Sequence, residues 1–339
     1  MPDSKTPRID SVVPSWAVVG ARVTLRGSGL SAAGHGTPIV HIGGMPAQVV
    51  LASPTRIGIV VPAGLARGRH AATVDGARGE ALLDVATPIA TGVHQVDSPA
   101  FGADGVLYAT FSGTRGQRVP VSVFRIGSDG DKTPFLTDIA NATSMACDAR
   151  GALHVTSRYD GTVLRVGRGG STEVVAHDLG VACGIAFGAD GTMFVGDRSG
   201  TVFRIGSSAH AVPFVSLPPS HAAFHLAAGP DDALYVTAPT MATYDHVYRI
   251  DRHGGVSVIS SEFGRPQGMA VDEAGTLYVV DALAGGAGLY RVREGAPREL
   301  VLAARALVGA AIDPHGGLVA ASNDTLYRLD VGLMPWRAR

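Results

Sequence analysis

A segment of about forty residues recurs through most of the chain, a period that marks one repeating supersecondary unit. Six copies align on the turn between two apolar strands: SPAFGADGVLYAT, SMACDARGALHVT, GIAFGADGTMFVG, HLAAGPDDALYVT, GMAVDEAGTLYVV and GAAIDPHGGLVAA. The shared turn position falls at Gly105, Gly151, Gly191, Asp232, Gly275 and Gly316, at steps of 46, 40, 41, 43 and 41 residues. Steps of this size accommodate four short antiparallel strands, which is the blade of a β-propeller.

Each copy continues into a third strand, VFRI at Val123, VLRV at Val163, VFRI at Val202, VYRI at Val247, LYRV at Leu289 and LYRL at Leu326. Five copies then carry a fourth, in TPFLTDI, STEVVAHDL, AVPFVSL, GVSVIS and PRELVLA. The sixth copy ends at Leu329 with only VGLMPWRAR after it, while TPIATGV at Thr87 looks like TPFLTDI at Thr133. The pattern therefore predicts a six-bladed propeller closed by an N-terminal strand, which removes the open sheet edge at the seam. Asp-Gly at Asp104 and Asp190 supplies the positive-φ turn wanted between the first two strands of a blade.

Before Thr87 the repeat is absent and short strands take its place: Arg8 to Val13, Arg22 to Arg26, Pro38 to Ile42, Ala47 to Leu51, Arg56 to Val61, His70 to Val74 and Ala81 to Val85. Strands at this spacing predict an immunoglobulin-like β-sandwich over residues 1–86, followed by the propeller over 87–339. The fold class is all-β, in keeping with 45 glycines and 20 prolines set among β-formers and with 46% apolar residues for the core. A net charge of -1 with only 17% charged residues provides no basic field for a nucleic-acid backbone. Cys147 and Cys183 are too few for a disulfide framework and lack metal or redox spacing. No stretch approaches the roughly 18 apolar residues of a membrane span. The opening MPDSKTPRID has no apolar segment behind its charges. The expectation is a cytoplasmic protein without membrane insertion.

Two resemblances add to this reading. PRIDSVVPSWAVVGARVTLRGSGL and VHIGGMPAQVVLASPTRIGIVVPAGLARGRHAATV resemble the IPT/TIG family, through an I-x-x-V-x-P opening, a V-T-L-x-G-x-G-L core and a late V-P. GMAVDEAGTLYVVDA followed by LYRV resembles the NHL repeat, and the six-fold set is similar to the SMP-30/gluconolactonase group over roughly residues 87 to 330. The second resemblance implies a propeller whose chemistry differs widely between members, from lactonases and lyases to binding modules.

A ring of repeats brings equivalent positions together at the hub. Just before the inner strands stand Asp97, Thr143, Cys183, Phe224, Gln267 and Val308; just after the second strands stand Phe111, Ser157, Asp197, Ala238, Asp281 and Ser322. Asp97, Asp197 and Asp281 are oxygen donors suited to Ca²⁺ or Mg²⁺. Resemblance to SMP-30 lactonases implies a Glu, Asn and Asp ligand set, in which Asp281 matches the Asp and Asp197 is its counterpart two blades earlier. Gln267 stands where that family has Asn, and Ser98-Pro99-Ala100 stands where it has Glu. His225 opens the fourth inner strand, and Arg158 and Arg198 each follow a second strand, placed for bidentate carboxylate binding. Other readings of these residues are Asp197 and Asp281 as turn caps, His225 as a hydrogen-bonded wall residue, and the two arginines paired with Asp160 and Asp197. Two functions follow as expectations. One is a scaffold binding a small molecule or a protein partner at its funnel or loop face. The other is a gluconolactonase-like metal-dependent hydrolase or lyase, with Asp97, Asp197 and Asp281 on the metal and His225, Gln267, Arg158 and Arg198 around the substrate.

Overall fold

Alternation of buried and exposed side chains organises the N-terminal strands. In Ala81–Val85 the residues Ala81, Leu83 and Val85 are buried and Leu82 is exposed, the period of a half-buried strand. The inner strands of the repeats behave otherwise: Ala182–Phe187 and Pro266–Val271 are buried at every position, as strands packed on both faces must be. The computed structural model describes residues 6–30, 36–206, 209–283 and 285–336, and within them every regular element is a strand.

The chain divides into two compact units. The first holds Met1–Thr87 together with Ala287–Leu289 and Leu300–Arg305. Its strands are Arg8–Val13, Trp16–Ala17, Arg22–Ser28, Val40–Ile42, Met45–Ala52, Arg56–Val60, Gly68–Val74 and Ala81–Val85. The two-residue strand Trp16–Ala17 is the one the sequence does not announce. It pairs in parallel with Ala81–Val85 on one side and with Glu299–Ala303 on the other, Trp16 lying opposite both Asp84 and Leu302.

The second unit contains five self-contained four-stranded sheets. In the first repeat the order is Ala100–Phe101, Leu107–Thr110, Val123–Ile126 and Lys132–Leu136, each antiparallel to the next. The second, third and fourth repeats follow the same plan. The sheet of the sixth repeat is completed by Thr87–Ala90, which lies beside Leu326–Asp330. The expectation of six separate blades is corrected at the fifth repeat. Its strands Pro266–Val271, Leu277–Asp281, Gly288–Val292 and Glu299–Ala303 pair in order, but its outermost edge is covered by Trp16–Ala17, so these four do not form a sheet of their own. An unpaired edge there would expose a row of backbone donors and acceptors, which the added strand satisfies.

The innermost strands, Ala100–Phe101, Ala142–Cys147, Ala182–Phe187, His225–Ala228, Pro266–Val271 and Leu307–Ile312, each pack beside the next, and the last beside the first. Apolar side chains fill the space between successive sheets. Phe224, fully buried, packs with Val202, Val236 and Ile250 from the third and fourth repeats; burying a side chain of this size contributes about 1.5–3 kcal/mol. Hydroxyls staple neighbouring repeats near the hub: Thr156 Oγ1 donates to the Cys183 carbonyl at 2.7 Å and Thr237 Oγ1 to the Gln267 carbonyl at 2.6 Å.

Candidate functional site

The register of the inner strands decides what reaches the axis. The residues immediately after the ring of Asp97, Thr143, Cys183, Phe224, Gln267 and Val308 are Ser98, Ser144, Gly184, His225, Gly268 and Gly309. A Cβ on Gly184 would stand 2.5 Å from the Phe224 carbonyl oxygen, and one on Gly268 would stand 2.8 Å from Asp97 Oδ1. Backbones approach this closely only where side chains are absent. The cleared space admits one large side chain, the imidazole of His225, which crosses to the first repeat. Its Nδ1 lies 2.7 Å from Asp97 Oδ1, and both residues are buried. Asp97 Oδ1 also accepts the Ser98 N–H at 2.6 Å. Nδ1 is the ring nitrogen that meets the carboxylate, which leaves Nε2 as the second polar atom of the ring. That atom is buried and has no hydrogen-bond partner among the described residues.

The aspartates nominated with Asp97 are not brought to it as a group. Asp281 is fully buried, pairs with Arg298 at 2.8 Å, and accepts the backbone N–H groups of Gly264, Arg265 and Leu283 at 3.2, 2.9 and 3.1 Å. Asp197 accepts the Val181 N–H at 2.8 Å and the Ser199 hydroxyl. Both carboxylates stitch the loop entering their own inner strand to the end of the second strand. The Gln267 side chain makes no hydrogen bond to the described residues, and its backbone carbonyl receives Thr237. Among the described residues no group of three or more His, Cys, Asp and Glu side chains is arranged to hold a metal ion. The carboxylates of Asp197 and Asp281 already serve protein donors and are not gathered with Asp97 into one ligand set among the described residues.

Arg158 and Arg198 sit where the inner strands begin. The Arg158 N–H donates to the Asn141 carbonyl and the Arg198 N–H to the Val181 carbonyl, each just ahead of an inner strand. Among the described residues neither guanidinium pairs with a carboxylate: Asp160 hydrogen-bonds Ser157, and Asp197 is engaged as described. Arg158 is partly buried, and burial, with Arg198 and Arg115 as cationic neighbours, pulls its guanidinium below the ordinary value. Arg115 is the residue the sequence reading misses. It rides on the loop between Thr110 and Val123, which accounts for the longest repeat step of 46 residues. Asn141, at φ 52°, pins that loop by donating to the carbonyls of Ser112 and Thr114 at 2.6 and 2.8 Å and accepting the Gly116 N–H at 2.7 Å; asparagine tolerates this left-handed backbone well.

Cys183 lies between the two groups, its electrostatics coupled to both Asp97 and Arg158. Burial pushes its thiol up to about 11, and Sγ donates to the Val181 carbonyl at 3.2 Å. A nucleophilic cysteine needs the opposite environment. The site as built is a buried Asp–His contact at the hub, with Arg158 near the strand-entry end under the electrostatic influence of Arg198 and Arg115.

Residues 7–83 match the IPT/TIG domain. Solved structures similar to the chain include an auxiliary nutrient binding protein from Bacteroides ovatus, 13% identical with a TM-score of 0.56 over 96% of this chain and 98% of that one. A gluconolactonase-like protein is 16% identical with a TM-score of 0.61 over 74% and 93%. Virginiamycin B lyase from Staphylococcus aureus is 14% identical with a TM-score of 0.53 over 91% and 99%. At these identities the likeness is one of fold, a β-propeller that serves binding and catalysis alike. No curated protein matches the chain by sequence.

Proposed function

We propose that the second unit is a binding scaffold that captures a small carboxylate-bearing molecule at the strand-entry end of its axis, with Arg158 as the anchoring cation. The observation that carries this reading is Arg158 itself, a partly buried guanidinium with two arginine neighbours and no acidic partner. A buried charge left uncompensated is costly, and a ligand carboxylate would supply the missing partner in the bidentate geometry that guanidinium favours. Arg198 and Arg115 would raise the local concentration of anions before contact. The nutrient binding protein among the similar structures supports a binding role for this fold. The metal-dependent lactone hydrolase finds no support in the donor arrangement.

Thermal unfolding in the presence of gluconate, succinate and benzoate, with succinamide as an uncharged control, tests the reading. At least one carboxylate is expected to raise the midpoint, by the equivalent of about 2.7 kcal/mol at a concentration 100-fold above its Kd. Arg158→Met is expected to weaken that ligand roughly 10- to 100-fold, since a hydrogen bond to a charged group is worth about 1.5–3 kcal/mol. An unchanged response in the variant would remove the proposal.

A further inference from the structure

The axis also contains a cavity whose chemistry differs from that of the arginines around Arg158. A cavity of about 320 Å³ runs along the hub, with walls from all six inner strands. Met145, Ile185, Leu226 and Met269 stand in its walls. Pro335 and Trp336 line it as well, at the end where the inner strands finish: the Trp336 N–H donates to the Val271 carbonyl at 3.2 Å, and Pro335 bridges Asp272. Asp97 lies in the wall where the strands begin.

Among the described residues the lining contains two carboxylates, Asp97 and Asp148, and no Lys, Arg or His. Asp148 Oδ1 is used by the Arg150 and Ala152 N–H groups of its own turn. Asp97 is 3% exposed, and its two hydrogen bonds, from Ser98 and His225, both fall on Oδ1. Oδ2 accepts nothing from the described residues. The cavity wall mixes polar and apolar groups, and an ammonium guest would bring to Oδ2 a charged donor that the described lining does not supply. A volume near 300 Å³ is at the small end of ligand sites.

We propose that this chamber binds a small alkylammonium ion, with the ammonium on Asp97 Oδ2, the hydrocarbon tail against Met145, Ile185, Leu226 and Met269, and the Trp336 indole closing the far end. Three ammonium protons match a carboxylate oxygen and its polar surroundings at Ser98 and Ser144, and the apolar walls gain from burying the tail. The site is independent of the arginines around Arg158, which select the opposite charge.

The chain has two tryptophans, Trp16 and Trp336, so in a Trp16→Phe background the fluorescence reports Trp336 alone. Titration of that protein with n-butylammonium is expected to give a saturable change. Equal concentrations of 1-butanol and butyrate are expected to give none. Asp97→Asn in the same background is expected to weaken n-butylammonium at least tenfold. A response shared by 1-butanol, no saturable response to n-butylammonium, or unchanged affinity in a folded Asp97→Asn protein would overturn the proposal. Should Asp97→Asn fail to fold, the comparison of n-butylammonium with its two isosteres on the parent protein decides. Arg158→Met is expected to leave n-butylammonium binding unchanged, which separates this site from the carboxylate site.

Discussion

At the scale of single residues, the hub shows that position and role are separate matters. Asp281 occupies the register of a metal ligand yet acts as a structural anchor, with Arg298 and three backbone donors on one buried carboxylate. Asp281→Ala is expected to cost about 3–5 kcal/mol of stability, the penalty for stranding one partner of a buried pair, measured by urea unfolding. A loss below 1 kcal/mol would show that the carboxylate is not anchoring the loop. Cys183 gives a second expectation. Its thiol is raised to about 11 in the folded protein, above the roughly 8.5 of an unfolded chain. Stability from the neutral thiol is therefore complete below about pH 8.5 and is lost as the pH climbs through the folded value. Buried Tyr108, Tyr235, Tyr278 and Tyr290, also raised by burial, act in the same direction. Cys183→Ala should flatten the alkaline loss relative to the parent, by on the order of 2 kcal/mol. In the native parent, iodoacetamide at pH 8 should leave Cys183 unmodified. Rapid alkylation would contradict the burial.

At the scale of elements, legibility depended on length and on locality. The inner and second strands could be read from sequence because apolar runs and Gly or Asp turns recur within a few residues of each other. Trp16–Ala17 could not, since two residues carry no periodicity and their partners at Asp84 and Leu302 are remote in sequence. The roles of Asp97 and His225 were half visible: register nominated each, but their contact joins residues 128 apart and depends on how the inner strands curve around the axis. Asp197 and Asp281 accept loop N–H groups as turn caps do, while Arg298 as a partner of Asp281 lay beyond what spacing reveals. Gly184 is the local signature that the hub is crowded. Gly184→Ala would drive a Cβ against the Phe224 carbonyl at 2.5 Å, and the strain should cost about 1–3 kcal/mol. Gly191→Ala, at an open turn with nothing within 4 Å of the added Cβ but φ +80°, should cost about 1 kcal/mol, from backbone strain alone. Calorimetry of the two variants separates crowding from turn strain. Equal losses would mean that the inner strands relax freely.

At the scale of the whole molecule, the second unit separates opposite charges along one axis. Arg158 and its arginine neighbours stand where the inner strands begin, and Asp97 lines the cavity along the hub. The Asp97–His225 contact joins the first and fourth repeats across the hub. The central claim is that Arg158 is the anchor for an anionic ligand. The most direct measurement is anomalous diffraction from crystals soaked in bromoacetate. The account expects a bromine peak beside the Arg158 guanidinium that disappears in crystals of Arg158→Met. Bromine bound only elsewhere, or a peak that persists unchanged in the variant, would contradict it.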